Sequence, residues 1–444
     1  MGQSTTQLTF PFFSHAKLTA AFDGGAITSD GGLPLVREFD DRIGLSERLS
    51  ELIYDPRDVR FVRHDQLLLI RQRLYQIIAG YEDANDAARL RHDLVFKAIV
   101  GRNPEDNDLG SQPTFSRLEN RVDRSTVEAL NDELVDTFIR TRAEPLSEIT
   151  LDIDPSEART YGQQELAFFN GHYDSYMYFP QFVCDAKSRF LLAAVLRPGK
   201  VPAHAGAVHL LLRIVQRLRA AWPSIRIYVR ADANFAEPHL LNWLEEEGVG
   251  YTIGMGGNKA LESLAAPFVQ EVEARFAAAG EPQRSFSSIR YQTQKTWPRP
   301  RRVIVKVEVT KLGTNVRFVI ASRAGSNRAL YEWYTERGGT IEDAIEQLKN
   351  GYEGDRMSCH RFEANAFRLL LHTAAYNLML LFRERIAIPE LANADIQTIR
   401  IKLIKVGARV ERTLRRIWIH LSSSWPFASL IRRAFERVLP QPSD

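Results

Sequence analysis

The sequence predicts an α/β layer fold, on two observations. From Ser147 onward, short apolar or alternating runs take turns with longer segments of helical period. Within that succession Asp154 and Asp232 close two of the strand-like runs, and Glu342 opens a helix-like one. A chain of 444 residues, 44% hydrophobic and 25% charged, has room for two or three domains with a sizeable core. Its net charge of +3 is small but unevenly spread: Pro282 to Val307 holds seven Lys or Arg and no acid, and Asn393 to the end holds ten bases against four acids. Such stretches suit a polyanionic partner. The two cysteines, Cys184 and Cys359, lack Cys-x-x-Cys spacing, so neither a disulfide framework nor a zinc site is expected, and a reducing cytoplasm fits. The N-terminus lacks a signal-peptide pattern and no apolar run reaches membrane-spanning length, so no membrane association is expected.

Residues 1–145 read as a mostly helical N-terminal domain, whose outward arginines suit either contact with DNA ends or an ordinary solvated helix face. It opens with the Gly-rich FDGGAITSDGGLPLV, which lacks the Gly-Lys-Ser/Thr ending of a phosphate loop and fits turn chemistry better. DQLLLIRQRLYQIIAG (65–80) has helical spacing, predicted with Arg71 and Arg73 outward and Gly80 as its stop. SQPTFSRLEN (111–120) reads as a turn and short helix, and Ser125 to Glu128 as a capping box starting a longer one. Residues 146–390 carry the α/β pattern. EITLDID (148–154) is a strand with Leu151 and Ile153 on one side and Asp152 and Asp154 on the other. YMYFPQFVCD and SRFLLAAVL continue a meander, AGAVHLLLRIVQRLRAAW is a crossover helix, and IRIYVRAD a buried strand before the helix PHLLNWLEEEG. Three strands, a helix and a fourth strand, with acids ending the first and fourth, is the layout of a ribonuclease-H-like mixed-sheet core. An insertion of mainly β structure is expected at about 256–325. FEANAFRLLLHTAAYNLMLLFRER is a long buried helix, and 391–444 a basic C-terminal segment with a hairpin-like stretch and a last helix.

In YTERGGTIEDAIEQLK (334–349), Gly338-Gly339 marks a break, and Thr340 with Asp343 resembles a helix start. Glu342 and Lys349 stand seven residues apart, about 700° of helical rotation, and so share a face. Alone, this is an ordinary amphipathic helix with Ile341, Ile345 and Leu348 inward. Alone, Asp154 is a strand-end turn acid and Asp232 an N-cap. Together, three carboxylates can hold two hard divalent cations for in-line phosphoryl transfer. A carboxylate pair could also hydrolyse glycosides, but that leaves the basic stretches without a purpose.

Five stretches carry a resemblance: SDGGLPLVREF (29–39), SQPTFSRLEN (111–120), LDIDPSEARTYGQQELAFFNGHYD (151–174), VRADANFAEPHLLNWLEEEGVGY (229–251) and 334–378. Through them the chain resembles insertion-sequence DDE transposases, most closely the thirteen-eighty family of bacterial insertion elements. The resemblance implies a ribonuclease-H-like core with a β insertion and DNA transposition, with Asp154, Asp232 and Glu342 as ligands of two Mg²⁺ ions, for which Mn²⁺ can substitute. It implies double-stranded DNA as partner (element ends and target), a homodimer in the end-paired complex, and a bacterial, cytoplasmic, nucleoid-associated setting. A catalytically inactive, DNA-binding descendant is the competing expectation. Tyr334, Arg337 and Lys349 match the Y-x2-R-x3-E-x6-K signature of related transposases and would hold DNA. Trp297, in YQTQKTWPRPRR, matches by region a base-stacking tryptophan, with Arg299, Arg301 and Arg302 beside it as DNA contacts. Two departures stand out: Asp154-Pro-Ser-Glu157 replaces the family's Asp-Ala-Thr-Asp, which leaves Asp152 as alternative first acid, and four residues rather than three separate Arg337 from Glu342.

Overall fold

The structure, a computed structural model, describes residues 7–12 and 14–439. The chain divides into two compact units: Met1–Glu51 with Asp55–Leu118 and Leu378–Asp444, and Leu52–Tyr54 with Glu119–Asn377. The sequence pattern places the end of the N-terminal domain at residue 145 and keeps the C-terminal segment apart from it, whereas contacts along the chain group that segment with residues before 119.

The larger unit is built on an eight-stranded mixed sheet. The strands of this sheet and the main helices, in chain order, are α1 Arg124–Arg140, β1 Glu148–Pro155, β2 Gln181–Asp185, β3 Leu191–Val195, α2 Ala207–Ala221, β4 Arg226–Ala231, α3 Pro238–Glu246, β5 Gly250–Met255, α4 Lys259–Ala279, β6 Gln283–Tyr291, β7 Arg301–Thr310, β8 Gly313–Ala321, α5 Asn327–Thr335, α6 Ile341–Tyr352 and α7 Phe362–Ile386; a small separate sheet pairs Ala158–Arg159, Ser175–Tyr178 and Phe168–Asn170. The sheet order is β6-β7-β8-β5-β4-β1-β2-β3. Strand β4 runs parallel to β1 and β5, and every other pairing is antiparallel. Strands β1 and β4 are central and covered on both faces, which explains why IRIYVRA reads as a continuous run rather than an alternation. The fold is mixed α/β with one large sheet and many helices. The segment expected to be mainly β also contains the 21-residue α4, and its three strands extend the same sheet instead of forming one of their own.

Helices cover the sheet where their apolar faces demand it. Phe138 of α1 packs against Phe190 and Trp222 with ring centroids 5.4 and 6.3 Å apart. On the polar side of α1, Arg213 and Arg217 of α2 bind Asp132, and Arg217 also binds Asp136. The predicted capping box at Ser125 does not form: Asp123 caps α1 by accepting from the Thr126 amide, leaving Ser125 inside the helix. In α7, Asn377 both accepts from the Leu191 amide and donates to its carbonyl, satisfying the end of the sheet where β3 begins.

In the smaller unit, the doubled glycine of SDGGLPLV has a steric cause. A Cβ on Gly32 would lie 1.8 Å from the Leu403 carbonyl oxygen, because this turn lies against residues 403–406. The Gly31 and Gly32 amides donate to the Val406 and Ile404 carbonyls. Asp30 is buried there, paired with Lys405 at 2.7 Å and accepting from Tyr81 at 2.8 Å. The helix Gln66–Ala79 forms as expected and ends at Gly80 in the left-handed region. Its arginines differ from expectation: Arg73 is buried and donates to the Tyr81 and Glu82 carbonyls, and Arg71 turns to Ser46 and Asp41. The hairpin Ala408–Arg412 and Ile417–Leu421 pairs with Ile27–Thr28, and Ala428–Val438 forms the last helix.

Candidate active site

Strands β1 and β4 set the first two acids. Their registered pairing ends at Asp152↔Arg230 and Ile153↔Ala231, so Asp154 and Asp232 come next on two adjacent parallel strands, at their C-terminal ends. Asp232 then caps the turn Ala233–Phe235, accepting from the amide and side-chain amide of Asn234 at 2.9 and 2.8 Å. Its expected role as an N-cap and its place beside Asp154 are thus compatible.

The third acid arrives by the predicted break. Helix α5 gives way to a 3-10 turn, Glu336–Gly339, and α6 starts afresh at Ile341 with Glu342 in its first turn. Arg337 belongs to the turn and Glu342 to the helix. The guanidinium of Arg337 lies 3.2 Å from Asp154 and 3.6 Å from Glu342, linking the two carboxylates. Burial opposes the charge of Arg337, but Asp154, Tyr334, Asp232 and Glu342 together hold its pKa above the ordinary value. Burial pushes the Asp154 carboxyl up to about 7; Arg337 opposes this, while Asp232 and Glu342 add to it. Three acids and one arginine therefore share one electrostatic neighbourhood.

Thr340 does not cap α6. Its hydroxyl instead bonds Asp152, and Asp343 pairs with Arg189 at 2.8 Å. Asp152, the alternative first acid, is fully buried and receives two hydrogen bonds from Arg230 at 2.6 and 2.8 Å. Arg230 continues to the Trp333 carbonyl at 2.6 Å and lies 5.0 Å from the centre of that ring. The chain Asp152, Arg230, Trp333 and Thr340 ties the two central strands to both sides of the break that carries Arg337. The sequence signal for Arg230 is a charge in the second half of an otherwise apolar strand, two residues before Asp232.

Tyr334 reaches the same region. Its hydroxyl lies where a Cβ on Gly254 would come within 2.6 Å, and the Ala233 amide would be 2.9 Å from that Cβ. Lys349 faces inward, donating to the Glu157 carbonyl at 2.8 Å and the Ser156 hydroxyl at 3.2 Å, just past Asp154. Tyr173 is a further neighbour: burial first, then Glu157, Asp154 and Asp232, raise its pKa. It lies in the stretch 151–174, where no local pattern singles it out from the other aromatics.

The residues of the inserted segment lie in a different setting. Trp297 is only 5% exposed, with Arg301 4.7 Å over its ring and Tyr291 edge-on at 5.6 Å. Arg299 and Arg301 both bind Glu245, while Arg302 donates to Asn327 and the Gly325 carbonyl. In this conformation Trp297 is a packing residue, and stacking on a base requires it to leave these contacts.

Among the described residues, no three His, Cys, Asp or Glu side chains stand close enough together to hold one metal ion. The fit of a divalent cation therefore rests on donor chemistry. Asp154, Asp232 and Glu342 supply hard carboxylate oxygens, and burial and the two neighbouring acids make the negative charge of Asp154 costly, with Arg337 beside it to offset that charge. No described helix is long and apolar enough to cross a membrane.

Residues 10–443 match a family described as transposase DDE domain, group 1. No curated protein matches the chain. A cryo-EM structure of a piggyBac transposase synaptic complex with hairpin DNA aligns with a TM-score of 0.43 and 12% identity, over 94% of this chain and 86% of that one. The likeness to that structure is too distant to assign residues. The family match spans both units and all three acids, and the chain belongs to the DDE transposases of group 1.

Proposed function

We propose that this transposase binds the terminal inverted repeats of its own insertion element, of the kind typified by the thirteen-eighty family, and cuts and rejoins DNA at a ribonuclease-H-like centre. The sheet order β3-β2-β1-β4-β5, with the two acids at the ends of the central parallel strands, supports that reading of the core. The observation that carries the assignment is that Arg337 pairs with both Asp154 and Glu342, while Asp232, at the end of the neighbouring strand, adds to the negative charge around it. These three would hold two Mg²⁺ ions, which when bound stabilise the attacking and leaving oxygens of an in-line displacement.

The chain's own residues supply the rest. Asp154 is mostly enclosed, and Arg337 bridges its carboxylate and that of Glu342. Lys349 and Tyr334 border the acids, where a cation and a phenol would position a DNA phosphate. Arg299, Arg301, Arg302 and Trp297 are proposed as DNA contacts of the inserted segment, after rearrangement of their present partners. A homodimer would pair two ends, in a bacterial nucleoid setting.

Arg337 also favours a second reading, since its guanidinium occupies the space between two would-be ligands, as in an inactive descendant that only binds DNA. Incubating the protein with an inverted-repeat duplex separates the two. An active transposase nicks the duplex at the element boundary in Mg²⁺ or Mn²⁺. Tight binding with no metal-dependent nicking would establish the inactive reading.

A further inference from the structure

Away from the carboxylates, and wholly inside the smaller unit, a groove of about 1190 Å³ lies between the turn Val59–Phe61, the loops around residues 91 and 102–109, and the first turns of the helix that starts at Gln112. Five arginines line it, Arg57, Arg63, Arg91, Arg102 and Arg117, against two acids, Asp58 and Asp108. The arginines are not equally committed. Arg57 is fixed by Asp55 at 2.6 Å and donates to the His64 carbonyl. Arg91 lies 3.7 Å from Asp108, and Arg102 donates to the Arg63 carbonyl, which ties the two sides of the groove together. Arg63 and Arg117 are exposed and, among the described residues, have no ion-pair partner.

His64 also lines the groove, half-buried, with its Nδ1 buried and without a hydrogen-bond partner. The turn Val59–Phe61, capped by Asp58, leaves Phe61 81% exposed. The exposed Phe61 ring offers an apolar face beside guanidinium groups that have no acid to hold them, and one kind of partner uses both. Phosphates at intervals take the arginines bidentately, and the sugars between them offer an apolar surface to the ring. A protein surface would need a row of matched acids, and a small anion would leave most of the groove and Phe61 unused.

We propose that this groove is a backbone-binding site for duplex DNA, in which Arg63 and Arg117 take phosphates, Arg57 and Arg102 hold its walls, and Phe61 packs on deoxyribose. The proposal rests on the transposase reading for its partner but uses none of the catalytic residues. The groove positions the duplex, since contacts to phosphate fix where it lies and carry no sequence information.

Fluorescence anisotropy of a labelled duplex against the full chain, over a range of salt, tests it. Each phosphate neutralised contributes about −0.9 to the slope of log K against log salt. Arg63→Ala/Arg117→Ala should therefore flatten the slope by about 1.8, weakening binding to specific and random duplexes alike. Arg63→Lys/Arg117→Lys should keep the slope, because charge alone sets it, and Phe61→Ala should weaken binding without changing it. Unchanged melting temperature verifies that the exposed arginines were not needed for folding. A double alanine variant with wild-type affinity and slope overturns the groove while leaving the transposase reading standing, since the wild type still binds. A wild type that binds no duplex even at low salt overturns both.

Discussion

Two residues apart on β1, Asp152 and Asp154 differ in what surrounds them. Asp152 is enclosed and paired with Arg230, so it serves the position of the break before α6 through Thr340. Removing one member of such a buried pair leaves a stranded charge, and Arg230→Met should cost about 3–5 kcal/mol in urea unfolding, with Asp152→Leu/Arg230→Met recovering most of it. A neutral single variant would contradict the clamp. Asp154 is partly open and crowded by other acids, with its pKa pushed up to about 7 by burial first. Because it titrates higher folded than unfolded, proton binding favours the fold. That contribution is complete below the usual carboxylate range and is lost as pH rises through about 7. In metal-free protein, Asp154→Asn should thus flatten the fall in stability between about pH 4 and about pH 7, which melting curves at several pH values would register. Sequence alternation placed both acids on one side of the strand but could not tell them apart. The distinction lies in Arg230, 78 residues away, and needs the strand register.

At the scale of elements, the break between α5 and α6 was legible because two adjacent glycines interrupt a helical pattern. What was not legible is that Thr340 gives up its capping role to bond Asp152, a choice made by tertiary packing. A second element, β5, brings Gly254 near its C-terminal end against both Tyr334 and the Asp232 turn. Gly254→Ala would put a methyl 2.6 Å from the Tyr334 hydroxyl and 2.9 Å from the Ala233 amide. The backbone side of that contact cannot swing away, so DNA cleavage should fall by a larger factor than the loss of stability accounts for; parallel measurements of cleavage rate and melting temperature check this. Equal losses would mean that Gly254 serves only folding. The setting of Trp297 was hidden because its loop folds back on Tyr291 and Arg301, the paired residues that flank it, while the sequence displays only an aromatic among arginines.

For the molecule as a whole, the α/β pattern, the central strands and the order of the acids were readable because apolar period and strand ends are local signals. The division into two units was not, since Gly31 and Gly32 meet residues 404–406 across nearly the whole length of the chain. Nor was the basic groove, whose arginines are scattered from Arg57 to Arg117 without forming a run. If the three acids from two strands and one helix act as one catalytic site, none can be spared. The most direct measurement is Mn²⁺-dependent cleavage of an inverted-repeat duplex by Asp154→Asn, Asp232→Asn and Glu342→Gln beside the wild type, each first shown to be folded and to bind the duplex. Every one of the three should lose about a hundredfold or more in rate while binding persists. A folded variant of any of the three that cleaves at the wild-type rate would contradict a single three-acid site.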